Sequence, residues 1–309
     1  MTAKQIYQDA LKNKYALCAF NFVNLEVLKA IIKTCEEENK PVILQASESA
    51  IDFIGEDFLK GYIAQIKKTA QTPIIFHLDH GKSLEVCKRA ISIGFNSVMI
   101  DASSLSFEKN IALTKQVVNY AHKKHIWVEA ELGSLSGIED NINIKNGKAA
   151  FTDPKEAREF VLQTKTDSLA IAIGTSHGVN KFLGEPNLRL DILTEIETLI
   201  PNYPLVLHGA SSIDEDKIAK INAEGAAVKD AKGVPQKLLK TAIKNHNIIK
   251  VNIDSDLRLA YTFGIRKSLN ESRENIDIRK YTIAAQNQLS KVVKDKLKLI
   301  TEINKKSAK

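Results

Sequence analysis

Cysteine is scarce in this 309-residue chain: Cys18, Cys35 and Cys87 form neither an even set nor a CxxC pair. That disfavours a disulfide framework and points to a reducing compartment. Long apolar runs are missing too, and none approaches the roughly 18 residues that span a membrane. The opening MTAKQIYQDALKNKY reads as a polar helix with no apolar signal core. A cytoplasmic protein with no membrane partner is expected. Aromatics make up 6% of the chain and few are interleaved with basic residues, which argues against a nucleic-acid partner. No Pro-, Ser- or Gly-rich tract and no long block of one charge sign marks a domain linker. A Gly-rich phosphate turn after the first strand is also lacking, since AFNFVN contains no glycine.

What remains is a globular composition, 44% hydrophobic and 26% charged. Lys plus Arg number 44 against 37 Asp plus Glu, a formal charge of +7 that suits anionic small molecules. Eight short β-rich apolar runs recur: Ala16–Phe20, Pro41–Ala46, Pro73–Leu78, Ser97–Ile100, Ile126–Ala130, Ser168–Ile173, Pro204–Leu207 and Ile248–Val251. Amphipathic stretches such as Leu25–Glu38, Leu84–Ile93, Phe107–Lys123, Pro154–Lys165 and Leu188–Leu199 lie between them. Eight alternating units predict an α/β fold, a closed (β/α)8 TIM barrel, as a single domain over 1–309 with a helical tail over 279–309. One connection, Gly133–Asp153, is long, polar and punctuated by Gly133, Gly137 and Gly147, the character of a lid. It ends at a helix start, with Asp153 as N-cap and Pro154 at the first helical position.

In such barrels the catalytic groups stand at the C-terminal ends of the strands. Here those ends carry Asn21, Ser47, Asp79-His80, Asp101, Glu131, Gly174-Thr-Ser-His177-Gly178, His208-Gly209-Ala210-Ser211 and Asn252-Ile253-Asp254-Ser255. One histidine closing a strand is usually a satisfied polar residue. His80, His177 and His208 together, each followed by Gly, describe three imidazole ligands of a catalytic zinc. Asp79 either braces a metal ligand or works as a general acid/base; neighbours on a strand face opposite ways, so both it and His80 face the pocket only where the strand ends or twists. Asp101 and Glu131 are open between metal ligands, bases and ion pairs at the barrel mouth. Glu139 sits in the lid, as a base arriving on closure would. Gly209-Ala210-Ser211 and Ile253-Asp254-Ser255 offer amides, hydroxyls and helix N-termini to an anion, and Gly178 and Lys181 add a donor and a charge.

HLDHG (77–81), VEAELG (128–133), GTSHG (174–178), LVLHGAS (205–211) and KVNIDSDLR (250–258) resemble the class II, metal-dependent fructose-1,6-bisphosphate aldolases. FNF (20–22), LQASE (44–48), SVMIDAS (97–103) and GIEDN (137–141) fit the same pattern, in order along nearly the whole chain. The resemblance implies reversible, zinc-dependent cleavage of fructose 1,6-bisphosphate to dihydroxyacetone phosphate and glyceraldehyde 3-phosphate. It implies zinc on His80, His177 and His208, with Asp101 and Glu131 at a second or displaced metal position. Asp79 would exchange the proton at the C4 oxygen, and Glu139 the proton on the dihydroxyacetone-phosphate carbon. Gly178, Lys181, Gly209, Ser211, Asn252, Asp254 and Ser255 match that product's site, and Ser47 and Arg279 the contacts of the other phosphate. A monovalent cation near the phosphate loops and a homodimer or homotetramer are also implied. A Lys Schiff base is the alternative chemistry, but the sixth and seventh strands carry no Lys, and Lys250 reads as a buried ion pair or barrel-floor residue. Three rivals stay in view: a tagatose-1,6-bisphosphate aldolase, a barrel metallohydrolase, and a non-catalytic anion- or metal-binding protein.

Overall fold

Apolar runs buried on both faces need a partner on every edge, and here they find it by closing on themselves. The structure, a computed structural model, describes residues 1–133, 136–139, 142–144, 151–177, 188–209, 211, 213, 215–229 and 233–301. Its strands are β1 (Leu17–Asn21), β2 (Val42–Ala46), β3 (Ile74–Gly81), β4 (Ser97–Ile100), β5 (Trp127–Leu132), β6 (Ser136–Glu139), β7 (Ile142–Ile144), β8 (Ser168–Ile171), β9 (Ser176–His177), β10 (Leu205–Leu207) and β11 (Ile248–Ile253). Eight of them form a closed barrel in the order β1-β11-β10-β8-β5-β4-β3-β2, every pairing parallel. The other three make a small sheet in the order β7-β6-β9.

All eight predicted runs are barrel strands, and the ends differ by a few residues. The sixth was expected to reach Ile173. It stops at Ile171 because the Ala172 amide donates to the Thr152 hydroxyl (2.8 Å) rather than to a neighbouring strand. The third runs past Leu78 to Gly81, with a shift in its register against β4.

The helices follow the strands. α1 (Ala3–Lys12) precedes β1; α2 (Leu25–Glu37), α3 (Glu48–Ile54), α4 (Glu56–Thr69), α5 (Leu84–Ile93), α6 (Phe107–His122), α7 (Pro154–Thr164), α8 (Leu190–Leu199), α9 (Glu215–Ala223) and α10 (Gln236–Asn245) fill the connections; α11 (Ser255–Glu271) and α12 (Ile278–Thr301) follow β11. Asn24, Ser47, Ser83, Ser106 and Asp153 each accept a first-turn amide, so these helices begin close behind strand ends or loops at one mouth of the barrel. The helical tail is α12. It lies on α11 so closely that a Cβ on Gly264 would stand 2.5 Å from Ala285 Cα. A buried Lys296–Asp256 ion pair (2.9 Å) fastens the two helices.

The barrel interior is layered. At the floor, Ile6, Tyr7 and Ala10 of α1 pack on Leu17, Ala19, Ile43, Ile75, Trp127 and Ile249. Above them the registers set Gln45 beside His77, His77 beside Ser97, and Lys250 between Leu17 and Val206, all pointing inward. The strands' C-terminal ends form the uppermost layer.

Candidate active site

The end of β3 resolves how Asp79 and His80 share one pocket. His80 sits at φ 49°, left-handed for a residue with a Cβ, between a strand residue and Gly81. That conformation costs about 1–2 kcal/mol outside glycine and breaks the alternation of the strand. Gly81 is required beside it: a Cβ there would lie 2.7 Å from Leu78 and 2.8 Å from the Met99 carbonyl.

Two imidazoles meet in the barrel mouth. His80 Nδ1 lies 2.9 Å from Asp101 Oδ2, and His208 Nε2 lies 2.7 Å from Glu129 Oε1. A carboxylate can only accept, so each ring carries a proton on that outer nitrogen. The remaining nitrogens, His80 Nε2 and His208 Nδ1, then face each other at 3.0 Å. Two bare lone pairs at that distance repel unless a positive charge lies between them, either a proton or a metal cation. Carboxylate-braced imidazoles converging on one point are the arrangement that suits a metal. Asp79, His80 and His208 each offer a ligand atom within 4.8 Å of the others, as do His80, Asp101 and Glu131. All five residues are buried.

The surrounding carboxylates act on the same cluster. Burial opposes the imidazolium of His80, but Asp79, Asp101 and Glu131 outweigh it and raise its pKa to about 10. Burial would raise Asp101; the hydrogen bond and charge of His80, then Lys82, hold it well below the usual carboxylate range. Glu131 is pushed up to about 8, by burial and then by the neighbouring Asp101. Its Oε2 is buried and has no hydrogen-bond partner among the described residues.

Asp79 is held by three amide donors. Asn21 Nδ2 (2.9 Å) and Gln45 Nε2 (3.1 Å) donate to its Oδ2, and Asn252 Nδ2 (3.2 Å) to its Oδ1. The same Asn252 Nδ2 lies 3.1 Å from His208 Nδ1, so one side chain spans the acid and the metal-facing ring. The three donors fix the orientation of the carboxylate beside the two rings.

The other predicted residues fall into three groups. Gly209 and Ser211 follow β10, Asn252 and Ile253 end β11, which runs two residues past the predicted Val251, and Asp254 and Ser255 come next. Gly209 takes φ 61°, which lets the chain turn away after His208. Asp254 pairs with Arg258 at 2.7 Å, and Ser255 opens α11. Ser47 spends its hydroxyl on the Ala50 amide as the cap of α3. Arg279 is not brought to the cluster; it is exposed at the start of α12 and paired with Asp277 at 3.0 Å. The backbone of Glu139 ends β6, whose Gly137 lies in register with His177 of β9, so the predicted lid runs beside the third histidine's strand. The side chains of Glu139 and His177, and all of Gly178, Lys181 and Ala210, lie outside the described residues.

Sequence reasoning missed the layer beneath. Lys250, fully buried, donates to both Glu129 oxygens (2.9 and 3.0 Å) and to His77 Nε2 (3.0 Å). His77 Nδ1, which carries the ring's one proton, donates it to Ser97 Oγ at 2.7 Å. Lys250 is thus the buried ion pair expected of it, and Glu129 is the residue through which it braces His208. The available signal was Glu129 two residues before Glu131, on the same face of one strand. Asn21 was legible as a strand end; Gln45, one step inside β2, was not.

Comparison with known proteins agrees. Residues 1–305 match the family model described as fructose-bisphosphate aldolase class-II. A fructose-bisphosphate aldolase of Helicobacter pylori strain J99 is 46% identical over 302 residues, 97% of this chain and 98% of that protein. One from Treponema pallidum is 42% identical over 317 residues, covering 96% and 95%. Among solved structures, the YdjI aldolase of Escherichia coli K12 superposes with a TM-score of 0.77 at 32% identity, covering 96% of each chain.

Proposed function

The chain belongs to the class II fructose-bisphosphate aldolase family, and we propose that it catalyses the reversible cleavage of fructose 1,6-bisphosphate to dihydroxyacetone phosphate and glyceraldehyde 3-phosphate. The observation that carries the reading is the pair of ring nitrogens 3.0 Å apart, each ring braced from behind by a carboxylate, beside an aspartate held by three amides. Zinc is the ion proposed, on His80, His208 and His177; Asp101 and Glu131 flank the second or displaced position that the resemblance implies. When bound, it supplies a Lewis acid that draws electron density from the substrate ketone.

The chain's own residues do the rest. Asp79 takes the proton of the C4 hydroxyl as the C3–C4 bond breaks, and C4 leaves as the aldehyde carbon of glyceraldehyde 3-phosphate. The amides of Asn21, Gln45 and Asn252 keep that carboxylate in place. Glu139, brought by the lid, gives a proton to C3, completing dihydroxyacetone phosphate. The two phosphates are held by anion donors at two places. Gly178, Lys181, Gly209, Ala210, Ser211, Asn252, Ile253, Asp254 and Ser255 serve dihydroxyacetone phosphate; Ser47 and Arg279 serve the other, with a monovalent cation near the loops. Helix N-termini opening at this mouth favour anions there.

We further propose that residues 1–309 work as one domain, as a homodimer or homotetramer, in the cytoplasm. No helix among the described residues is long and apolar enough to cross a membrane. Sedimentation velocity reads the assembly. A coupled cleavage assay on fructose and tagatose 1,6-bisphosphates, with chelator and with zinc restored, tests the function. Chelator-sensitive, zinc-restored cleavage favouring fructose bisphosphate is expected. Preference for the tagatose sugar would reassign the substrate, and full activity after verified metal removal would refute the mechanism.

A further inference from the structure

Lys82 follows the Asp79-His80-Gly81 turn, and its ammonium bonds Asp101 Oδ2 at 2.5 Å. That oxygen already accepts from His80 Nδ1, while Asp101 Oδ1 accepts from the Ser103 amide (3.2 Å) and hydroxyl (2.7 Å). Four donors fill the roughly four acceptor sites of a carboxylate. Across the cluster, Glu131 Oε2 is buried without a partner among the described residues, 3.7 Å from His80 Nδ1. Asp101 and Glu131, beside His80, would therefore make a cation site, except that one of the two carboxylates is taken by a lysine.

We propose that Lys82 is the tethered cation of this second position and limits the chain to one divalent ion per active site. The proposal rests on the reading that a metal binds at His80 and His208. A divalent ion reaching Asp101 has to displace an ammonium that its own chain delivers at high effective concentration. The lysine also neutralises charge that would otherwise draw that ion, and it holds Asp101 where Asp101 orients His80. Its side chain is 46% exposed, so its charge can be removed without opening a buried hole. A lysine suits this role because its ammonium is a compact point charge on a long stem.

The test is metal stoichiometry. Wild type, Lys82→Gln, Lys82→Arg and His208→Ala are equilibrated with cobalt or zinc and the bound metal is counted by elemental analysis. A cobalt titration followed by visible absorption reports each site separately. Wild type and Lys82→Arg are expected to hold one ion, and Lys82→Gln two. The second ion should bind roughly ten- to a hundredfold more tightly to Lys82→Gln than to wild type, the worth of one charge-assisted hydrogen bond released. Lys82→Met serves if the Gln variant does not fold. Two ions on wild type, or one on a folded Lys82→Gln protein, would overturn the proposal. No ion on wild type would instead overturn the metal reading beneath it. Loss of the first ion from His208→Ala supports that reading independently of Lys82.

Discussion

Lys250→Met and Glu129→Leu, made singly and together, separate two jobs done by one buried carboxylate. Lys250 Nζ bonds both oxygens of Glu129 and His77 Nε2 at 2.9 to 3.0 Å, and neither charged residue is exposed at all. Removing either partner strands the other charge in the barrel and should cost about 3–5 kcal/mol. Removing both leaves two apolar side chains of similar size where the ions stood. Two losses then remain, the donor to His77 Nε2 and the acceptor of His208 Nε2–H, about 1–3 kcal/mol each for an unsatisfied buried polar group. The double variant should therefore be more stable than either single one, against the roughly 6–10 kcal/mol of damage that additivity would give. Metal binding should behave differently. Glu129 also holds the outer nitrogen of His208 at 2.7 Å, and nothing in the double variant replaces it. Zinc affinity should fall about 10- to 100-fold in Glu129→Leu and stay low in the double variant. Urea unfolding of metal-stripped protein reads the first quantity, and competition with a chromophoric chelator the second. A double variant as unstable as the single ones would refute the ion-pair argument. One with wild-type zinc affinity would refute the bracing of His208.

Asp79→Asn sets an amide among three amide donors and removes the proton acceptor; turnover should drop about 10²–10⁴-fold while zinc stays bound, and near-normal kcat would exclude Asp79 as the acid/base. Glu139→Ala should keep metal and substrate binding and lose most turnover, with full rate excluding it as the base. Gly264→Ala drives a methyl onto the Ala285 backbone, so it should destabilise the fold by about 1–3 kcal/mol, seen as a lower urea midpoint; no shift would mean that the α11–α12 contact yields freely. Burial, then Lys250, holds the pKa of His77 well below 6.5, so the unfolded chain takes up a proton there that the folded chain does not. Stability should accordingly decline as pH falls below 6.5, and His77→Gln should remove roughly 2 kcal/mol of the loss between pH 7 and 5; identical pH profiles would count against it.

What was legible in the sequence and what was not divide along a physical line. Apolar runs ending in polar residues gave away the barrel and its mouth, because burial on both faces leaves a strand no other composition. The same rule singled out Asp79, His80, Asp101, Glu131 and His208, each at a strand end, and the structure gathers them. It could not assign their geometry. His80 joins Asp79 in one pocket only by taking a left-handed φ, which no residue type announces except glycine. The bracing layer was hidden for a different reason. Glu129 and Lys250 are 121 residues apart, each a charge inside a strand that otherwise reads as core. Read alone, either is a cost of burial; only strand register turns the two into a pair. Lys82 shows the reverse case. In sequence it is an ordinary surface lysine after a turn, and it acquires a role because β4 places Asp101 against it. In this barrel the reacting groups are written at strand ends, whereas the groups that set their tautomers and charge are written in the pairing between strands.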